Sequence, residues 1–326
     1  MEYDILTLFY TDECNFECRH CMTSSGPGRK GKMEPEDTVG LIRDASASGI
    51  KEVVLTGGEP LLYMEEVCML GRASKSLGMG FSVVTNCFWS DTEENSLRML
   101  RRLRESGLTS IRPSYDRFHA EFIPIENIIY CKKAADELGV HMRVGVCFHG
   151  EGDEEAQEIH RVLTGNNIEV RVMYVSPMGR GASLERRGWS FNIHKLPCIA
   201  SRSIGITRKR FYACCGGVSI IDDDNPLSLG DRENTSFTSM MGKARDLEFV
   251  EIIRAFGPQG LYDVVEDESI RDPGGLFYCE LCSRILNSRR NFLKLEEAFN
   301  TGDGELLTTL SCARLYNSYL HKKKGL

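Results

Sequence analysis

Cys14-Asn15-Phe16-Glu17-Cys18-Arg19-His20-Cys21 follows directly on an apolar, strand-like run at residues 3–10. Three thiols spaced by four and then three residues can wrap a short loop around one metal centre, and iron–sulfur clusters are held by cysteine runs of this kind. Three ligands on a four-iron cubane leave one iron open to chemistry. The same thiols with His20 as a fourth ligand would make a closed tetrahedral zinc site, so spacing alone leaves both metals open. Similar apolar runs recur at residues 52–56, 80–85, 109–114, 141–148 and 169–175, and amphipathic stretches lie between them at 34–48, 64–77, 93–106, 125–138 and 154–163. Gly49, Gly78, Gly107 and Gly139 follow four of those stretches, where helices commonly end on a left-handed glycine. Strand–helix alternation of this kind means parallel strands with crossover helices. Six strands in order fit an open, partial barrel in an α/β fold; a doubly wound sheet would show the same periodicity.

The second strand runs into Thr56-Gly57-Gly58-Glu59-Pro60. Two glycines let a ligand approach the backbone closely. Their carbonyls, with the Glu59 carboxylate, can hold an ammonium group, and Pro60 ends ladder pairing and turns the chain. Both motifs fall at carboxyl ends of consecutive strands, where parallel α/β folds bind ligands. The pattern changes near residues 177–182. Beyond it we expect short segments at 204–207 and 210–213, turn residues at 222–226, and helices at 240–256, 259–266, 290–300 and 304–319, broken by Gly257-Pro258 and Asp272-Pro273-Gly274-Gly275. The reading is a core domain at 1–182 and a smaller, mostly helical domain at 183–326.

The 326 residues are 41% hydrophobic and 27% charged, which is the balance of a folded globular protein rather than a disordered one. A net charge of −7 argues against a strongly basic nucleic-acid binder. No apolar run approaches the roughly 20 residues of a membrane span, and Met1-Glu2-Tyr3-Asp4 lacks the pattern of an export signal. The expected location is the cytoplasm, where cysteines serve as metal ligands or reactive thiols rather than disulfides. Of thirteen cysteines, Cys68, Cys87, Cys131, Cys147 and Cys312 stand in apolar or helical contexts and read as small hydrophobes. Cys198, Cys214, Cys215, Cys279 and Cys282 form a second group. Four of these suffice for one cluster or one zinc, which leaves one over.

The three-cysteine loop after the first strand and Gly57-Gly58-Glu59-Pro60 after the second resemble the radical S-adenosylmethionine (radical SAM) superfamily. The resemblance implies a partial (β/α)6 TIM-like barrel, with a 4Fe–4S cluster on Cys14, Cys18 and Cys21 and SAM chelating the open iron. It implies that Gly57, Gly58 and Glu59, closed by Pro60, hold the SAM amino group, and that the His20 backbone meets the adenine. Val83-Val84-Thr85-Asn86-Cys87-Phe88-Trp89 resembles the third-strand motif, with Asn86 kept and Cys87 where glycine is usual. Ser114-Tyr115-Asp116-Arg117-Phe118-His119 ends the fourth strand. It implies SAM contacts for Ser114 and Asp116, and a part for Asp116 and His119 in shaping the substrate site. Arg143, on the fifth strand, is implied to meet the SAM carboxylate or ribose. The stretch Pro177-Met178-Gly179-Arg180-Gly181-Ala182 resembles the turn after the sixth strand.

The later cysteines resemble the auxiliary 4Fe–4S sites of radical SAM enzymes that act on peptides, which implies Cys198, Cys214, Cys279 and Cys282 as ligands. Neighbouring side chains on an extended segment point to opposite faces, so a Cys214 turned to a cluster leaves Cys215 turned away. Phe211-Tyr212-Ala213-Cys214-Cys215, with Pro197-Cys198 before it and Cys279-Glu280-Leu281-Cys282 after it, resembles the peptide epimerases that make epipeptides, a similarity running over nearly the whole chain. That resemblance implies two 4Fe–4S clusters, SAM, a ribosomally made precursor peptide as substrate and a flavodoxin- or ferredoxin-type reductant. Cys215 would return hydrogen to leave a D-residue. The alternatives are thioether or carbon–carbon crosslinking or oxidation of such a peptide, a small-molecule radical SAM enzyme, and a zinc-bound protein without catalysis.

Overall fold

The computed structural model describes residues 3–185, 196–216, 225–270, 278–301 and 304–323. They fall into two compact units: one holds residues 4–185 and 206–208, the other residue 3, residues 196–205 and the described residues from 209 onward.

The first unit alternates β1 (Ile5–Thr11), α1 (Pro35–Ala47), β2 (Glu52–Gly57), α2 (Met64–Ser76), β3 (Gly80–Thr85), α3 (Glu93–Glu105), β4 (Ser110–Pro113), α4 (Glu126–Leu138), β5 (His141–Phe148), α5 (Glu154–Gly165) and β6 (Glu169–Tyr174). The six strands are parallel and lie side by side in chain order. A doubly wound sheet reverses its strand order at a switch point; this one never does, so the open partial barrel is the correct reading. Local chemistry sets the helix ends. Pro35 opens α1, and the Thr92 and Asp153 side chains cap α3 and α5 by accepting from Asn95 N and Ala156 N at 3.1 and 3.2 Å. The glycines after α1 to α4 all have positive φ, from 62° at Gly139 to 112° at Gly107.

Strand alternation divides the sheet into two faces. Leu6, Leu8, Tyr10, Val53, Leu55, Phe81, Val83, Ile111, Val144 and Val146 are almost wholly buried and supply the apolar face. The alternate residues include polar groups: Arg112 pairs with Glu52, which also accepts from Ser82 Oγ at 2.7 Å.

The second region has a short strand β7 (Ser203–Ile206), an antiparallel pair β8 (Arg210–Tyr212) and β9 (Ser228–Asp231), and the helices α6 (Phe237–Asp246), α7 (Glu248–Phe256), α8 (Gln259–Val265), α9 (Tyr278–Leu286), α10 (Arg289–Thr301) and α11 (Gly304–Lys323). Asn317 Nδ2 of α11 donates to the Glu251 carboxylate of α7 at 2.5 Å. The expected helix at 240–256 is two helices, because Leu247 leaves the helical region at φ −79°, ψ 81°. Neither α9 nor β9 was expected. The expected turn at 222–226 falls partly outside the described residues, which resume at Asn225. Among the described residues no helix is long and apolar enough to cross a membrane.

Candidate functional site

The loop after β1 is held by the turn after β2. Gly58 N donates to Thr11 O at 2.6 Å and Glu59 N to Glu13 O at 2.8 Å. A Cβ at Gly58 would sit 1.9 Å from Glu13 O, and one at Gly57, whose φ is 132°, would sit 2.5 Å from Thr11 O. The expected reason for these glycines was room for a ligand. In the structure the chain's own backbone takes that room on the Cβ side, and the effect is to seat the cysteine loop against β2.

Glu59 is fully buried. Its Oε1 accepts from Leu61 N and Thr85 Oγ1 at 2.9 and 3.0 Å, and its Oε2 from Asn86 N at 2.7 Å. The carboxylate therefore ties the end of β2 to the end of β3 and caps the single 3-10 turn that Pro60 opens. Burial pushes its pKa up to about 7, while the three donors pull the other way. Asn86 completes the link: its Nδ2 donates to Asn15 Oδ1 at 2.9 Å and approaches Cys14 Sγ at 3.7 Å. Cys87 has φ 58°, so it keeps the left-handed backbone of the glycine it replaces, held by Asn127 Nδ2 donating to Cys87 O at 3.1 Å.

The three thiols of the loop lie within electrostatic reach of one another. Burial pushes Cys14 up to about 11, with the Phe16 N–H lowering it and Glu59 and Cys21 adding to the rise. Burial also raises Cys18, helped by Asp116, Cys14 and Cys21. A metal binding here must displace protons, because thiolates are the ligands. Phe16 N donates to Cys14 Sγ at 3.4 Å, and Thr23 Oγ1 lies 3.4 Å from Cys21 Sγ. Three gathered thiols with N–H and O–H donors near their sulfurs fit an iron–sulfur group, whose sulfurs take such hydrogen bonds.

Asp116, after β4, is the charged centre of the neighbouring wall. Its Oδ1 accepts from Phe118 N at 3.0 Å and lies 2.9 Å from His119 Nδ1, and its Oδ2 lies 3.3 Å from His20 Nε2. Burial alone would push the carboxyl up, but His119 and then His20 outweigh it and hold it well below the usual carboxylate range. His20 stacks on Phe118 with ring centroids 4.5 Å apart. Its Nε2 is thus turned to Asp116, and its Nδ1 is buried with no hydrogen-bond partner. Ser114 N donates to Thr85 O at 2.9 Å, which keeps Ser114 beside Asn86 at the carboxyl ends of the strands.

Arg143 is set apart. It is the third residue of β5, in register with Glu169 at the start of β6 and 3.5 Å from its carboxylate. That is the amino end of the sheet, so the structure does not bring Arg143 to the other site residues. Three residues escaped the sequence reading. Cys147 is buried, but its Sγ lies within 4.8 Å of ligand atoms of both His20 and Asp116; a position near the carboxyl end of β5 was the available signal. Asn15, within the loop, accepts from Asn86, and Arg180 bonds the Cys18 and Cys21 carbonyls; nothing in the spacing pointed to Asn15.

In the second unit the later cysteines lie within electrostatic reach of one another. Cys279 and Cys282 are one turn apart on α9. Burial raises the Cys279 thiol strongly, with Cys198, Cys282, Cys214 and Cys215 adding to it in that order. Cys282 is raised by burial, then by Cys198 and Cys214. Cys198 N donates to Ile253 O at 3.2 Å, which fixes that ligand candidate to the end of α7. A Cβ at Gly205 would lie 2.6 Å from Cys214 O, so β7 and the Cys214 segment are in close backbone contact.

The chain is 26% identical over 246 residues to a GTP 3',8-cyclase of Clostridium acetobutylicum, covering 69% of this chain and 74% of that protein. It is 22% identical over 293 residues to a putative peptide biosynthesis protein, YydG, of Bacillus subtilis, covering 84% of this chain and 89% of that one. Among solved structures, Streptococcus suis SuiB bound to the precursor peptide SuiA aligns with a TM-score of 0.56 at 13% identity, over 90% of this chain and 73% of SuiB. That likeness shows the fold, a partial (β/α)6 barrel. The radical SAM superfamily matches residues 8–163. The cysteine loop, the Gly-Gly-Glu-Pro turn and the Asp116 wall all lie inside that matched stretch.

Proposed function

We propose that the chain is a radical SAM enzyme that converts L-residues of a ribosomally made peptide into D-residues. The observation that carries this reading is that four thiols lie within electrostatic reach of Cys279, five in all, one more than a four-iron group takes from the protein. Cys198, Cys214, Cys279 and Cys282 are assigned to an auxiliary 4Fe–4S cluster, and Cys215 is left as a hydrogen donor. Cys14, Cys18 and Cys21 are assigned to the first 4Fe–4S cluster. The turn Gly57–Glu59, closed by Pro60, and Asn86, Ser114, Asp116 and the His20 backbone are assigned to SAM. Arg143 is left out. The peptide substrate is supported by the similarity to YydG, named for peptide biosynthesis, and by the fold shared with SuiB, which was solved with a precursor peptide.

The first cluster and SAM, when bound, supply a 5′-deoxyadenosyl radical able to take an α-hydrogen from a peptide residue. The chain's own part is orientation and return of hydrogen. The Cys215 thiol gives a hydrogen atom to the α-carbon on the face opposite the one that lost it, and opposite faces are what make inversion rather than exchange. The thiyl radical left on Cys215 takes up one electron and one proton, the electron coming from a flavodoxin- or ferredoxin-type reductant.

The test is a reaction in D2O with a candidate precursor peptide, read by mass spectrometry and chiral amino-acid analysis. Each inverted centre should carry one solvent deuterium. Cys215→Ala should still form 5′-deoxyadenosine while yielding at least about tenfold less D-residue, an estimate for loss of a group acting directly in the reaction. Undiminished D-residue from that variant would refute the donor assignment, and a product lighter by two hydrogens would identify crosslinking or oxidation instead. A small-molecule reading has one observation in its favour, the similarity to a GTP cyclase. Formation of 5′-deoxyadenosine stimulated by GTP and not by peptide would establish it.

A further inference from the structure

The turn after β6 lies on the cysteine loop and has no part in the assignments above. Residues Gly179–Ser183 form one 3-10 turn. A Cβ at Gly179, whose φ is 56°, would lie 2.3 Å from Met22 O and 2.6 Å from Cys21 O, so only a glycine lets the two backbones meet. Between the two glycines, Gly179 and Gly181, stands Arg180. Its backbone N–H donates to Cys21 O at 3.0 Å, and its Nε donates to Cys18 O at 2.9 Å. One residue thus bonds the carbonyls of two of the three loop cysteines.

The rest of the guanidinium is unspent. Arg180 Nη2 is buried without a hydrogen-bond partner. A buried guanidinium N–H left unpaired is costly, and a guanidinium nitrogen placed in this way ordinarily meets an anion. Among the described residues Arg180 has no carboxylate partner. A cluster held by three thiolates is anionic, and reduction adds one further negative charge.

We propose that Arg180 is a positioning residue for the metal group of Cys14, Cys18 and Cys21: it fixes the loop through the Cys18 and Cys21 carbonyls and supplies its remaining N–H and its positive charge to the anionic cluster, so that the cluster accepts an electron more readily. The inference rests on the reading of those cysteines as 4Fe–4S ligands. It names a different residue and a different property, the ease of reduction. Hydrogen bonds and charge near a cluster are recognised controls of its potential.

The experiment is an EPR-monitored redox titration of the full chain, purified without oxygen, with iron determined in parallel. The signal of the first cluster is the one lost in Cys14→Ala. Arg180→Gln should keep wild-type iron and shift the midpoint downward. At the wild-type midpoint its reduced-to-oxidised ratio should fall about tenfold, equivalent to about 59 mV for a one-electron couple. Arg180→Lys, which keeps the charge but not the planar fork, should shift in the same direction by less. Wild-type iron with an unchanged midpoint in Arg180→Gln overturns the proposal. If Arg180→Gln cannot hold its cluster, the lysine variant decides, and an unchanged midpoint there overturns it too. If wild type and Cys14→Ala carry the same iron and the same signals, the cluster reading itself fails, an outcome distinct from either of these.

Discussion

Glu59 is a buried carboxylate whose two oxygens serve three donors, and its pKa, raised to about 7 by burial, gives it a specific signature. A group whose folded pKa is raised contributes its full stability below the unfolded value, here 4.5, and loses that contribution as pH climbs to about 7. The loss is ~3 kcal/mol. In metal-free protein, Glu59→Gln should be the less stable at pH 4.5, because an amide turns an N–H toward Asn86 N. Its deficit against wild type should shrink by ~3 kcal/mol between pH 4.5 and 7 in urea unfolding. A deficit that widened with pH would contradict the assignment. The sequence pointed to Glu59 as a site residue, because Gly-Gly-Glu-Pro at a strand end is a recognisable pattern. It could not show that Thr85 and Asn86, some twenty-six residues on, would occupy the carboxylate. Arg143 illustrates the same gap: which end of a strand a residue occupies depends on where the strand starts, and only the register with Glu169 reveals it.

At the scale of elements, the strands and helices of the first unit were legible nearly to the residue, since each apolar run had a clear period and a glycine or cap at its end. The second region was less so. α9 is a described helix of nine residues shortly after a glycine-rich breaker in the sequence, and its cysteines drew attention to metal spacing rather than to helical period. Leu247 kept the apolar pattern running through a break that only its backbone angles disclose. The glycines after β2 were legible as necessary, but the backbone that meets them on the Cβ side was not, because a missing Cβ does not say what comes close. Gly58→Ala tests the neighbour found. Its Cβ meets the Glu13 carbonyl at 1.9 Å, so backbone must move. Denaturant unfolding should show a loss of about 1–3 kcal/mol, the range for forced overpacking, together with reduced iron retention. Gly28→Ala, with nothing within 4 Å of its Cβ, is the control and should change neither quantity appreciably.

For the whole molecule, the division into two units places each cysteine group within its own compact body. The two metal assignments are therefore separable by measurement. On the reading proposed, oxygen-free wild-type protein carries about eight irons, two four-iron clusters. Replacing Cys279 and Cys282 together by alanine should leave about four and keep SAM cleavage under dithionite, whereas replacing Cys14, Cys18 and Cys21 should abolish cleavage and keep the other four. Iron analysis and chromatography of 5′-deoxyadenosine check both halves, and loss of all iron from either variant would count against independent sites.

The anchorage of the cysteine loop has a practical corollary. Its floor is built by three other turns: Gly58 and Glu59 from below β2, Asn86 from β3 and Arg180 from β6. Transplanting the eight-residue motif into a foreign scaffold would carry the thiols without their foundation. A graft meant to work should import the following turns along with it.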